Sequence, residues 1–317
     1  MKNKKNIDKK ISRRKFLKSM GVAGGTLALS GGTLLTSNKK TYAYENFAKN
    51  RSEVYGVLVD VTRCVGCRQC EKACNEWNKL PKPDKSFDDP SVFDKNRRPN
   101  EKAYTVVNKY DVNGQTIYRK IQCMHCNEPA CASSCPIHAY SKTKEGVTYY
   151  NEDRCFGCRY CMTACPYYIP AYDYWSALEP KIIKCTFCYD RLKEGKRTAC
   201  SEACPTGALT FGKRIDLIKI ARERINKEPG KYIDHIYGEN EVGGSSWMYI
   251  SSVPFEKIGL PGDLPDNPLI EETMGFLSAV PIVLTVWPAL FTAIYYSNIH
   301  RDKLDKNNED DTTKGGK

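Results

Sequence analysis

The apolar positions of this chain fall into short runs with different periods. Val54-Tyr55-Gly56-Val57-Leu58-Val59-Asp60-Val61 is nearly continuous and rich in valine, which predicts a β-strand. Residues 104–121 alternate between apolar and polar, and Asn113-Gly114 at their centre predicts a hairpin turn. Gly146–Tyr150 and Gly207–Gly212 predict two further short strands. From 213 to 228 the spacing changes to threes and fours. Ile215, Ile218, Ala221, Arg222 and Ile225 then mark one face of an amphipathic helix, stopped by Pro229-Gly230. Pro81 to Asn100 is polar with four prolines and reads as a surface loop. Phe276 to Tyr296 is different in kind: 21 residues without a charge, enough for a helix to cross a bilayer. Pro281 and Pro288 are tolerable there, and Tyr295 and Tyr296 sit where an interfacial belt would lie. A buried core helix is the competing reading of that stretch.

The cysteines change the picture most. Cys155, Cys158, Cys161 and Cys165 read C-x2-C-x2-C-x3-C and are followed by Pro166. Bacterial ferredoxins hold [4Fe–4S] clusters with this run, and its fourth cysteine serves the other cluster. Cys64, Cys67, Cys70 and Cys74 repeat the spacing, with Asn75 in place of the proline. Cys123, Cys126, Cys131 and Cys135 are a slightly stretched version, and Cys185, Cys188, Cys200 and Cys204 a longer one. All sixteen cysteines fall into these four groups. A disulfide framework is a poor account, because the chain can bury a core without staples and cysteines so close in sequence pair badly. Zinc is the stronger rival, since C-x2-C pairs build four-cysteine zinc sites, but it leaves the third cysteine of each tight run unexplained. Short strands and helices around paired cysteine groups describe a ferredoxin-like α+β module.

Net charge is +12, but residues 1–43 carry eleven Lys or Arg against one Asp. The remainder is nearly balanced, so nucleic-acid binding is rejected. Ser12-Arg13-Arg14-Lys15-Phe16-Leu17-Lys18 matches a twin-arginine export pattern. A weakly apolar, Gly-rich stretch and Thr41-Tyr42-Ala43 follow, as a cleavable signal over 1–43 requires. Glu271 and Glu272 precede the apolar stretch, and His300, Arg301 and Lys303 follow it. The positive-inside rule then puts the C-terminus in the cytoplasm and the cysteine-rich region outside.

The cysteine pattern resembles the four-cluster electron-transfer subunits that accompany molybdopterin oxidoreductases and membrane-bound hydrogenases. The likeness runs from about Tyr55 to Leu260 and extends through His235–Ile250 and Val253–Pro261, where it is similar to the hydrogenase-2-type and formate dehydrogenase subunits. The stretch from Cys158 to Tyr174 leans toward the hydrogenase kind. The resemblance implies four [4Fe–4S] clusters with crossed ligands. One would take Cys64, Cys67, Cys70 and Cys204, and a second Cys185, Cys188, Cys200 and Cys74. A third would take Cys123, Cys126, Cys131 and Cys165, and a fourth Cys155, Cys158, Cys161 and Cys135. A second ferredoxin-like module, 104–175, is then inserted in a first made of 54–80 and 180–213. Beyond them lie a helix and partner-contact extension (214–270), a transmembrane helix (274–297) and a disordered cytoplasmic tail (298–317).

The implied role is a non-catalytic electron conductor in the cell membrane. It would link an extracytoplasmic catalytic subunit, a nickel–iron hydrogenase, to a polytopic quinone-reactive membrane protein. The same role for a formate dehydrogenase or other molybdopterin enzyme is the alternative, and a zinc-stabilised anchor is the alternative of another class. No haem-attachment, dinucleotide or P-loop motif occurs. His125, between Cys123 and Cys126, reads equally as a residue tuning a cluster and as a solvated loop histidine. Tyr149, Phe156, Tyr160, Tyr167 and Tyr168 are expected to keep water from the clusters.

Overall fold

The computed structural model describes residues 54–175 and 181–314. The export signal expected at 1–43 lies outside the described residues.

The valine-rich run forms β1 (Tyr55–Asp60), the central strand of a three-stranded sheet. On one side it pairs antiparallel with β8 (Leu209–Lys213), Val57 opposite Phe211. On the other it pairs parallel with β9 (Trp247–Ile250), Val57 opposite Trp247. A strand flanked on both edges and covered on both faces has no need to alternate, which is why its sequence is continuously apolar. Three two-stranded pairs complete the strand inventory of the described residues. These are β2 (Val106–Val112) with β3 (Gln115–Ile121), β4 (Tyr140–Lys142) with β5 (Thr148–Tyr150), and β6 (Ala171–Tyr172) with β7 (Ile182–Ile183). The first is the expected hairpin: Asn113 and Gly114 carry φ of 51° and 80°, the left-handed pair that a two-residue turn requires.

Five short helices carry the cysteine runs and two longer ones follow. They are α1 (Gln69–Trp77), α2 (Ala130–Ser133), α3 (Tyr160–Ala164), α4 (Tyr189–Lys193), α5 (Ala199–Glu202), α6 (Arg214–Lys227) and α7 (Leu269–Lys314). Helices α2, α3 and α5 each stop before the fourth cysteine of their run, where Pro136, Pro166 or Pro205 follows and bars the preceding residue from helical geometry. Asn75 imposes no such bar, so α1 continues past Cys74 to Trp77. Helix α1 packs against α5, and α2 against α3.

The amphipathic helix forms where expected, and Ala221 and Ile225 face inward with Ile218 partly buried, but the buried stripe is turned toward Leu217. Arg214, Leu217, Ala221 and Ile225 are buried, while Ile215 is exposed and Arg222 makes surface ion pairs with Asp234 and Glu239. Two features set this rotation. A Cβ on Gly56 would lie only 3.2 Å from Leu217 Cδ1, so the helix sits close on the strand over Leu217. The Arg214 guanidinium donates to the carbonyls of Ser245, Gly238 and Glu239, which pins the first turn.

The segment expected as a partner-contact extension instead supplies part of the core. Trp247, Met248, Tyr249 and Ile250 are each at most 1% exposed. Large apolar side chains buried to this degree contribute about 1.5–3 kcal/mol each. The second cysteine run is stitched to the same strand: Trp247 N–H donates to Met124 O and Ser246 N–H to His125 O, both at 3.3 Å. Gln122 Nε2 donates to Tyr249 Oη at 2.6 Å, and that hydroxyl donates to Lys120 O.

Helix α7 contains the apolar stretch, and Ala279–Asp302 is long and apolar enough to cross a membrane. Leu284, Trp287, Phe291, Tyr295 and Tyr296 on it are exposed. Thr285 and Thr292 return hydroxyl hydrogen bonds to the carbonyls of Pro281 and Pro288. The helix extends beyond the expected 274–297 at both ends. It runs to Lys314, through most of the tail expected to be disordered.

Candidate iron–sulfur centres

Each cysteine run begins with one tight backbone figure. The residue just before the second cysteine is left-handed in all four runs: Gly66 (φ 71°), His125 (49°), Gly157 (78°) and Phe187 (55°). Glycine adopts this without strain, and at Gly66 a side chain would also strike the Tyr118 ring, whose nearest atom lies 2.5 Å from a built Cβ. His125 and Phe187 adopt it against steric cost, and they meet with ring centroids 5.0 Å apart. Phe187 in turn meets Trp247 edge-on at 5.9 Å.

All sixteen thiols are free. The structure gathers them across runs. Cys64, Cys67, Cys70 and Cys204 line one cavity, and Cys74, Cys185, Cys188 and Cys200 line another. Cys131 is pushed up in pKa by burial and further by Cys123, Cys165 and Cys126. Cys161 is pushed up by burial, with Cys155, Cys158 and Cys135 adding to it. The fourth cysteine of every run thus lies with the first three of another. Cys185 also feels Cys123, so the second and third quartets are electrostatic neighbours.

Burial makes these thiols reluctant to ionise unaided. It pushes Cys64, Cys165 and Cys188 up to about 11 and Cys185 to about 12. Cationic iron offsets that cost, so loading is coupled to proton release. Among the described residues no three His, Cys, Asp or Glu converge as the ligands of a single metal ion would. The walls also hold donors suited to sulfur. Asn78 Nδ2 donates to Cys74 Sγ at 3.4 Å, and Phe187 and Ala139 N–H donate to Cys185 and Cys135 Sγ at 3.3 Å. Tyr140 Oη donates to Cys161 Sγ at 3.6 Å. Trp247 Nε1 is buried without a hydrogen-bond partner, and its residue lines the cavity of Cys74, Cys185, Cys188 and Cys200. A group offering sulfide acceptors fits this set.

His125 is not solvated. It is fully buried, its Nε2 lies 3.0 Å from Cys185 O, and its Nδ1 accepts from Thr148 N–H at 3.0 Å. The tautomer this implies is neutral with the proton on Nε2, and burial first, then Lys184 and Lys142, holds the pKa well below the usual histidine range. The aromatic shield is also different from the expectation. Tyr167 is buried, but Tyr149 on β5, Tyr160 on α3, and Phe156 and Tyr168 between elements are all exposed. Tyr140 on β4 and Tyr150 on β5 are tyrosines that do touch a cysteine, Cys161 and Cys155 respectively.

Buried lysines were not anticipated. Lys120 lines both cavities of the first two quartets. Its Nζ donates to Thr105 Oγ1 at 2.6 Å and Gln122 Oε1 at 3.2 Å, and stands 4.5 Å from the centre of the Trp247 ring. Burial alone would lower its pKa, but Cys200, Cys70, Cys185 and Cys74 together hold it above the ordinary lysine value. Lys184 donates to Thr148 O, and Lys142 to the carbonyls of His125, Cys126 and Gly146, near the third quartet. Burial pushes Lys142 down to about 7. Strand alternation gives no signal for such residues, because a lysine at a strand end reads as solvent-facing.

Comparison with known proteins agrees with this geometry. The 4Fe-4S dicluster domain family matches residues 115–214. A protein of Nitratidesulfovibrio vulgaris is 47% identical over 297 residues, 93% of this chain and 79% of that relative. The hydrogenase-2 operon protein HybA of Escherichia coli O157:H7 is 35% identical over 79% of this chain and 84% of its own length. The formate dehydrogenase-O iron-sulfur subunit of Escherichia coli K12 is 32% identical over 82% and 88% respectively.

Proposed function

The chain belongs to the [4Fe–4S] electron-transfer subunits of membrane-bound oxidoreductases, the family of the hydrogenase-2 and formate dehydrogenase iron–sulfur proteins, and from that premise we propose that it carries four such clusters. The observation that carries the reading is the gathering of sixteen thiols into four quartets, each completed by a cysteine from another run. The ligand sets are Cys64, Cys67, Cys70 and Cys204; Cys74, Cys185, Cys188 and Cys200; Cys123, Cys126, Cys131 and Cys165; and Cys135, Cys155, Cys158 and Cys161. Two nested ferredoxin-like modules follow from that crossing.

When bound, each cluster supplies a one-electron couple. The chain's own residues hold the quartets in register, exclude water and place charge and N–H donors against sulfur. Cys67 and Cys158 are the exposed cysteines, one in each module, and mark the two ends from which a wire of this kind would be reached. Helix α7 is the membrane anchor in this reading, with the quartets on the extracytoplasmic side and the export signal at 1–43 delivering the folded body. The catalytic partner is a nickel–iron hydrogenase, and a quinone-reactive membrane protein takes the other end. The similarity to the formate dehydrogenase subunits makes a molybdenum or tungsten enzyme the second reading.

Purification of the intact complex from its native membrane tests both levels. About sixteen iron atoms per chain, with matching acid-labile sulfide, is the expected result for four cubes. Nickel in the co-purifying large subunit supports the hydrogenase; molybdenum or tungsten replaces it with the second reading. A chain that folds with zinc and no iron overturns the whole proposal.

A further inference from the structure

A buried ammonium is costly unless something fixed and negative surrounds it. Lys120 is 2% exposed, and among the described residues no carboxylate pairs with it: its Nζ contacts are the Thr105 hydroxyl, the Gln122 amide oxygen and the Trp247 ring. The thiols of two quartets line the same cavities that it does. Its charge is felt by Cys64 and Cys70 in one quartet and by Cys74, Cys185 and Cys188 in another. The fourth quartet differs. The charges felt by Cys161 come from Cys155, Cys158 and Cys135, with Tyr140 donating to its sulfur.

We propose that Lys120 is a shared electrostatic positioning residue: one fixed positive charge, held between the first two quartets, that raises the reduction potential of both clusters together. This rests on the reading that the quartets hold [4Fe–4S] clusters. Adding an electron to a site that already carries four thiolates is opposed by their charge, and a buried cation with few competing dipoles offsets that opposition at both sites at once. Thr105, Gln122 and Trp247 give the ammonium contacts of its own, so its place does not depend on an ion pair with either quartet. A charge shared by two adjacent sites shifts both in the same direction, so it changes their difference less than it changes either potential.

The test is an EPR-monitored redox titration of the full-length, cluster-loaded chain in its complex, with iron and sulfide measured on each sample. Lys120→Met and Lys120→Gln remove the charge, and the second keeps a donor. Both are expected to lower two of the cluster couples by at least tenfold in reduction equilibrium, about 59 mV for a one-electron couple, and to leave the other two within about twofold. Lys120→Arg keeps the charge and is expected to leave all couples near their original values. Unchanged couples at full iron content overturn the inference. So does a shift in one couple only, an equal shift in all four, or a shift in Lys120→Arg as large as in Lys120→Met. Should the neutral variants lose their iron, Thr105→Val decides. It deletes one hydrogen bond to Nζ and keeps the charge, and a smaller shift confined to the same two couples supports the assignment where no shift overturns it. An unmodified chain without iron is a different failure: it defeats the reading of the quartets, and this inference with it.

Discussion

The loops that open the first and third cysteine runs are near copies, and their surroundings are not. Both read Arg-Cys-x-Gly-Cys-Arg-x-Cys, at 63–70 and 154–161. Both follow a 3-10 turn capped by a side chain, Asp60 on Thr62 N–H and Asn151 on Asp153 N–H. Both place Gly and Arg in left-handed backbone, Gly66 with Arg68 and Gly157 with Arg159. Yet Arg68 is 3% exposed and bound to Glu71, which also takes a bidentate pair from Arg97 and the Val107 N–H. Arg159 is exposed and lies over the rings of Tyr172 and Tyr174. Asp60 is fully buried among Arg63, Arg224 and Tyr232, whereas Asn151 makes a local cap at the surface. The same local figure is thus anchored in a charged network in one place and left at the rim in the other. Local sequence sets the loop, and its contacts set how rigidly the loop is held.

The comparison can be broken most forcefully at the arginines. Arg68→Ala leaves Glu71 with one fewer cation and should cost about 3–5 kcal/mol in denaturant unfolding. Arg159→Ala should cost about 0.5–1 kcal/mol, the worth of an exposed cation–ring contact. Equal losses at the two positions would end the argument that the loops differ in anchorage. The caps give the next contrast. Asp60→Ala strips charged hydrogen bonds from a buried site, at about 2–3 kcal/mol, and Asn151→Ala should cost about 1 kcal/mol as an ordinary cap. Calorimetric melting of the two variants beside the parent measures this difference. The last contrast is at the turn. Gly66→Ala should cost about 1–2 kcal/mol for left-handed backbone alone, plus whatever displacing Tyr118 adds, and should speed cluster loss from the first quartet without changing the fourth, which the loop at 154–161 serves. Iron release to a chelator, followed by EPR, distinguishes the two.

Some of this was legible without coordinates. The crossing of the fourth cysteines was implied by the run itself, and the hairpin at Asn113-Gly114 by its turn residues. Helix α6 was found by its period, and Ala221 and Ile225 lie inward as expected, but Ile215 and Arg222 do not. Ile215 and Leu217 are equally apolar, and only the gap over Gly56 and the clamp on Arg214 choose between them. Strand β9 was missed because Trp247-Met248-Tyr249-Ile250 is four residues long, too short for periodicity to register, and it owes its strand form to pairing with β1. His125 stayed open between a tuning residue and a solvated one, because a histidine inside a loop gives no sign of what covers the loop.

What the order of residues determined is the chemistry: which atoms bind, how tightly each loop turns, and where each short helix stops, since spacing, glycine and proline act over a few residues. What only the three-dimensional fold decided is the environment of that chemistry. Burial and charge around a cysteine come from segments far along the chain, such as Trp247 beside Lys120 or Arg97 on Glu71. No local pattern encodes which distant side chain will arrive there, because that is settled by packing the whole body at once.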